Sequence, residues 1–186
     1  MGRVSQAQAE ENRRRVVDTA SRLFREQGTH VSVADLMKAA GLTHGGFYKQ
    51  FASKDALVDE ATTHAFAELA RRYAAELQQY DGQREAAQEA LIDVYLSVEH
   101  RDDAADGCPV AALATDIARE GVDREARRVY TEGVAGFAGF LATDDQDGIV
   151  RLCTLFGALV LSRATKGSPL SEEILAAAHA ALTEAG

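Results

Sequence analysis

The segment Thr43-His-Gly-Gly-Phe-Tyr-Lys-Gln50 gathers hydrogen-bond donors on a very short stretch of chain. His44, Tyr48, Lys49 and Gln50 can all donate, and Gly45 and Gly46 let a backbone come close to phosphates. Two adjacent glycines weaken an isolated helix by about 1 kcal/mol each, so close approach or packing must compensate for them. Phe47 and Phe51 read as core. A second candidate is Cys108-Pro109. A thiol near a helix N-terminus can have a lowered pKa and become nucleophilic toward electrophiles or oxidants, with Asp106 nearby opposing that shift. The other reading is a buried, inert Cys108. Cys153 falls in an apolar helix and reads as core.

Catalytic and metal signatures fail one by one. Gly133-Val-Ala-Gly-Phe-Ala-Gly139 lacks the strand–turn–helix context of a dinucleotide fingerprint and reads as a close-packing stripe. Aligning Asp145, Asp147 and Gly148 with a calcium loop puts Thr143 first and Thr154 where the bidentate Glu belongs. The five histidines contain no His-Glu-x-x-His, and the two cysteines make no zinc motif. No catalytic residue, metal site or cofactor is implied, and a helical enzyme is the remote alternative.

With 46% hydrophobic and 26% charged residues in 186, the chain has a globular composition, which excludes disordered, collagen-like and disulfide-scaffold classes. The longest apolar run, Leu152 to Leu161, is broken by Thr154 and is too short for a membrane span. No signal-peptide pattern opens the chain, so a cytoplasmic protein without membrane contact is expected. The net charge of −9 is unevenly spread. Residues 1–54 carry nine Lys/Arg, Arg3 among them, against five acids, a surplus of four that leaves −13 for the rest. A basic first quarter on an acidic body fits one end meeting a polyanion; a solvated Arg-rich helix face fits equally.

Helical periodicity supplies the elements that must position these groups. Val16, Ala20, Leu23 and Phe24 predict a helix over about 6–27, stopped by Gly28. Ser32-Val-Ala-Asp35 is a capping box opening a second helix that ends at Gly41. Thr43 is placed to cap a third, 44–50, and Ser53 a fourth from Lys54, whose stripe is Val58, Ala61, Ala65, Leu69, Tyr73 and Leu77. Leu91, Val94, Tyr95 and Val98 mark the fifth, and Pro109 opens the sixth, which carries Val110, Leu113 and Ile117 and ends at Gly121. A seventh covers about 122–142. The eighth is apolar nearly all round, from Ile149 and Val150 through Leu152, Cys153, Leu155, Phe156 and Leu159 to Val160. With Ile174 and Ala178 on the ninth, this points to a bundle between two copies, with Leu152, Leu155, Phe156, Leu159, Ile174 and Ala178 at the interface; the alternative is a central core helix of a monomer. The Gly41-Leu-Thr43 break has helix-turn-helix spacing, in which the second helix enters the major groove. The expected fold is all-α, with a helix-turn-helix domain at 1–53 and a larger helical domain at 54–186.

Gly41-Leu-Thr-His-Gly-Gly-Phe-Tyr-Lys-Gln-Phe-Ala-Ser-Lys-Asp-Ala-Leu57, preceded by Val33-Ala-Asp-Leu-Met-Lys-Ala-Ala40, resembles the DNA-binding segment of the TetR/AcrR family of bacterial transcriptional regulators. The Gly-x-Thr turn, the Phe-Tyr-x-x-Phe core and the Ser-Lys-Asp helix start fall in one register over about residues 10–60. The resemblance implies a nine-helix fold that dimerises through its last two helices. It places Thr43 and His44 at the start of a recognition helix, against bases and backbone, and Tyr48 and Lys49 against phosphates. Lys54 would bind phosphate from a helix N-terminus, where dipole and ammonium favour the same anion. Ser32 faces phosphate besides capping, and Gly45, Gly46 and Gln50 complete the expected set. His44 stands where lysine is frequent, leaving a charged contact or a neutral hydrogen bond open.

The same resemblance implies a ligand cavity enclosed by helices five to seven, with Tyr95, Cys108, Thr115, Tyr130, Phe137 and Phe140 as candidates and His64 and His100 as further polar groups. The stretch Gly107-Cys-Pro-Val-Ala-Ala-Leu113 is similar to one in a subgroup that includes multidrug-type regulators. The implied function is a homodimeric repressor, released from a near-palindromic double-stranded DNA operator by a small-molecule inducer. Sensing of electrophiles or oxidants through Cys108 is the alternative.

Overall fold

Nine α-helices and one 3-10 helix, with no strand among the described residues, make up the computed structural model, which describes residues 6–183. Arg3, counted above with the basic first quarter, lies outside them. Helix α1 (Gln6–Gln27) buries Val16, Ala20 and Phe24 and stops at Gly28, whose φ of +87° favours glycine. In α2 (Val33–Ala39) the Asp35 N–H donates to Ser32 Oγ at 3.1 Å. The second half of the expected capping box differs: the Asp35 carboxylate accepts the Ser32 hydroxyl at 2.6 Å instead of reaching back to the backbone.

The expected third helix is a 3-10 helix, His44–Lys49, and Thr43 makes no side-chain capping bond. Six residues that include two glycines are too few to sustain an α-helical hydrogen-bond ladder. Ser53 caps α3 (Lys54–Gln79), accepting the Ala56 N–H at 3.1 Å. After α4 (Arg84–Tyr95), Ser97 caps a further short helix, α5 (Val98–Asp102), within the stretch expected to finish the fifth helix. The chain continues through α6 (Pro109–Arg119), α7 (Glu125–Leu141), α8 (Gly148–Ala164) and α9 (Pro169–Thr183). Among the described residues no helix is long and apolar enough to cross a membrane.

Two apolar cores form. One joins Val16, Ala20 and Phe24 of α1 to Leu36, Met37, Phe47 and Phe51, and draws in Leu57, Val58 and Ala61 of α3, Leu113 and Ile117 of α6 and Ala126 of α7. The other lies among α3, α4 and α6–α9. Leu152, Leu155 and Leu159, expected between two copies, belong to this second core and are at most 4% exposed. Their side chains are consumed within one protomer, so they cannot form an interface. Phe156, Ile174 and Ala178 are half-buried against the same core. What α8 leaves open is Ile149, Val150, Cys153, Val160 and Leu161, which recur at helical spacing on its outer face.

The glycines of α7 divide by environment. A Cβ on Gly133 would lie 2.0 Å from the Phe66 ring, which is close packing, whereas Gly136 and Gly139 face open space. At the start of α8 a Cβ on Gly148 would sit 1.9 Å from the Ala138 carbonyl oxygen, which belongs to the backbone of α7. A Gly148→Ala variant must push these two helices apart. It should lose about 1–3 kcal/mol of unfolding free energy in a urea titration, and an unchanged midpoint would refute the close crossing.

Candidate functional site

The turn from Thr43 to Gln50 is held from beneath. Phe47 is fully buried and Phe51 nearly so, their rings stacked at 5.4 Å. The Arg13 guanidinium lies 4.4 Å from the Phe51 ring centroid and binds the Gln50 carbonyl and the Glu60 carboxylate, tying α1, the turn and α3 together. Tyr48, the neighbour of buried Phe47, is 67% exposed. Ser32, Thr43, His44, Gly45 and Lys49 are also exposed, while Gly46, Gln50 and Lys54 are half-buried. The structure thus gathers Thr43, His44, Gly45, Tyr48 and Lys49 on one solvent-facing turn, with Lys54 in the first turn of α3 and Ser32 at the start of α2. Among the described residues, Lys38, Lys49 and Lys54 make no ion pair. A Cβ on Gly45 would meet nothing within 4 Å, so neither packing nor a positive φ requires glycine there.

Against the second core a cavity of about 100 Å³, open to solvent beside the exposed Arg72 and Val94, is bounded by α3 (Leu69, Arg72, Tyr73, Glu76), α4 (Leu91, Val94, Tyr95), His100, Cys108 and Phe137. Of the residues expected there, Tyr95, Cys108 and Phe137 line it, as does His100. Thr115 does not, being on the exposed side of α6. Tyr130 donates its hydroxyl to the Val110 carbonyl at 2.8 Å and packs edge-on against Phe66, and Phe140 is stacked on Tyr73 at 4.9 Å. His64 lies away from the cavity, in the α1–α3 groove. The α3 contribution was missed because Leu69 and Tyr73 sit in an apolar stripe with no local signal separating cavity wall from core.

The cavity is apolar with a few unmet polar groups. The buried Tyr73 hydroxyl has no hydrogen-bond partner and the Tyr95 hydroxyl meets only the Cys108 thiol, and burial pushes both phenols up, so they remain donors. Burial likewise pushes the Cys108 thiol up, the direction opposite to the activated thiolate that its helix position suggested. Asp106 is engaged elsewhere, with Arg22 at 2.6 Å. His100 accepts the Cys108 N–H at Nε2 (3.2 Å), so its Nδ1–H donates to the Tyr95 carbonyl (2.7 Å). Both nitrogens are committed in the neutral ring, and burial lowers its pKa.

Cavity and turn share supports. α3 starts beside the turn and reaches the cavity wall at Leu69–Glu76. α6 starts at the cavity and inserts Leu113 and Ile117 into the α1 core, where Asp116 accepts the Thr29 N–H at 2.7 Å. The 103–107 loop is bound by Arg22 through Asp106, by Arg25 through the Gly107 carbonyl (3.5 Å) and by Arg72 through the Asp106 carbonyl (2.8 Å).

Residues 16–61 match the family described as bacterial regulatory proteins, tetR family. The HTH-type transcriptional regulator AcrR of Shigella flexneri is 39% identical over 61 residues, covering 32% of this chain and 28% of that protein. An uncharacterized HTH-type transcriptional regulator of Mycobacterium tuberculosis (strain CDC 1551 / Oshkosh) is 32% identical over 115 residues, covering 61% of this chain and 56% of the relative. The chain therefore spans about half or less of the length of these curated relatives. The crystal structure of E. coli NemR in its reduced form superposes with a TM-score of 0.77 at 19% identity, covering 94% of this chain and 96% of that one. AibR, solved in complex with isovaleryl coenzyme A and operator DNA, gives 0.64 at 15% identity, with 91% and 97% covered. These likenesses establish the fold.

The neutral His100 makes stability depend on pH with a defined sign. Its folded pKa lies below the ordinary 6.5, so its contribution is complete above that value. As pH falls, the unfolded chain takes up the proton first, and stability drops until the folded pKa is passed, by at most about 1.4 kcal/mol per pH unit. Urea titrations between pH 7.5 and 5 should show this decline in the wild type and a shallower one in His100→Asn; identical slopes would refute the neutral assignment.

Proposed function

We propose that the chain, whose residues 16–61 match the family described as bacterial regulatory proteins, tetR family, is a ligand-responsive DNA-binding transcriptional regulator of that family. In this reading it is a cytoplasmic repressor without enzymatic activity that leaves a near-palindromic operator when a small molecule fills the cavity. Residues 1–53 form the DNA-binding domain, and 54–186 the ligand-binding and dimerisation domain, with a core shared across that boundary. Gly45 is the observation that carries the proposal. A glycine that costs helix stability, is exposed, and answers no internal packing or backbone need fits a surface that a large partner approaches within backbone distance. Tyr48, Lys49 and His44 flank it with donors, and Lys54 adds an ammonium at the N-terminus of α3, which suits phosphate.

The ligand this cavity fits is small, largely apolar and uncharged at the end that meets Tyr73 and Tyr95, with an acceptor oxygen for the unmatched Tyr73 hydroxyl. About 100 Å³ is less than the roughly 300 Å³ of a typical small-molecule pocket, so a larger inducer must displace α3, α4 or the 103–107 loop. That displacement is the signal, since α3 and the loop are bonded to the DNA-reading head. Linkage then requires operator binding to weaken ligand binding by the same factor. The raised thiol pKa of Cys108 disfavours the electrophile-sensing alternative.

Reading a two-fold operator needs two heads, and the outer face of α8, with Ile149, Val150, Val160 and Leu161, is the surface we assign to self-association. Replacing both Ile149 and Leu161 with Asp should shift the chain to monomer in light scattering while leaving its helical circular dichroism intact; a dimer that persists would overturn the assignment. In a gel-shift with duplex DNA flanking the coding region, Tyr48→Ala and Lys54→Ala should each weaken binding about 10-fold or more, and Lys54→Ala should flatten its salt dependence. Gly45→Ala should fold at least as stably as the wild type yet bind that DNA less tightly. Unchanged affinity in all three variants would remove the proposal.

A further inference from the structure

Where α1 packs along α3, Asp18 of α1 faces His64 and Glu68, which sit four residues apart on one side of α3. His64 Nε2 is 3.6 Å from Asp18 Oδ1 and 3.6 Å from Glu68 Oε1, and one ligand atom from each residue lies within 4.8 Å of the others. The two 3.6 Å separations are too long for hydrogen bonds, and Nε2 is enclosed without a hydrogen-bond partner. They do match the edges of a metal polyhedron. Metal–ligand bonds of about 2.0–2.2 Å put the ligands of a tetrahedral site roughly 3.3–3.6 Å apart.

The surroundings are those of a supported site. Arg25, itself 5% exposed, binds the other Glu68 oxygen, Oε2, at 3.2 Å and so orients Oε1 toward His64. Grooves on both sides, one lined by Arg13, Arg14 and Asp18 and the other by Asp59, Thr63 and Ala67, have His64 as a common wall and give an ion and its remaining water ligands a route in.

We propose that Asp18, His64 and Glu68 bind one divalent transition-metal ion of the zinc class, with one imidazole and two carboxylates as ligands. An imidazole–carboxylate set selects zinc, cobalt or nickel over calcium and magnesium, which prefer all-oxygen sites. The ion clips α1 to α3 across the seam between the two cores and stabilises the folded chain by its binding free energy. Its effect on DNA rests on the regulatory reading above, because these helices carry the head; the ion site itself does not.

The test uses Co²⁺ as the probe on the full chain after chelator treatment and needs no DNA, so its failure is separate from failure of the regulatory reading. Co²⁺ should saturate at one equivalent per chain with a visible d–d band, be displaced by Zn²⁺ but not by Mg²⁺, and raise the melting temperature. His64→Asn should lose the band, and Asp18→Asn, at an exposed position that the fold tolerates, should weaken binding roughly 100-fold or more, judged against a second-shell loss of 10–100-fold. No saturable uptake, or uptake unchanged in both variants with folding verified by circular dichroism, would overturn the site.

Discussion

A six-residue 3-10 turn with two glycines has no stability of its own, so the structure's outward chemistry depends on burying Phe47 and Phe51 beneath it. Burying Phe47 turns its neighbour Tyr48 outward, and the stacked rings give Arg13 a surface on which to lie. The exposed donors are therefore fixed by an apolar anchor. The same anchor packs on Leu57, Val58 and Ala61, the first turns of α3, so the turn cannot shift independently of that helix.

That dependence extends to the cavity because α3 is a single rod of 26 residues, about 39 Å long. One end supports the turn and the other forms cavity wall. α6 repeats the arrangement in shorter form, from Cys108 at the cavity to Ile117 in the first core. Tyr130, which family resemblance placed among ligand contacts, packs on both cores and acts as a wedge between them. Packed interiors transmit displacement instead of absorbing it, which is the physical basis for coupling between the two ends.

Charge is also redistributed by folding. Of the basic residues that give the first quarter its surplus, Arg13, Arg22 and Arg25 pair with Glu60, Asp106 and Glu68 of later segments. These arginines join the head to the acidic body, leaving Arg15, Lys38, Lys49 and Lys54 without acidic partners among the described residues. A composition count records the surplus correctly but does not distinguish cations facing solvent from those used as internal fasteners.

Local chemistry was enough to read most of the helices, though not the 3-10 form of the third or the separate α5, together with the Ser32 and Ser53 caps, the stops at Gly28 and Gly41, and the division between buried Phe47 and exposed Tyr48, since each depends on residues within a turn or two. Position among distant segments was not readable that way. The eighth helix is apolar all round, and its pattern cannot say that Leu152, Leu155 and Leu159 turn toward α7 and α9 while Ile149 and Leu161 remain outside. Leu69 and Tyr73 look like any core stripe until α4 and the Cys108 turn leave a gap beside them, and Cys108 reads as either activated or inert until burial raises its pKa. Asp18 and His64 are 46 positions apart in the chain, and only the packing of α1 along α3 makes them neighbours. Periodicity and capping are short-range properties written residue by residue, whereas cavities, interfaces and ligand sets arise from which helices meet and at what spacing.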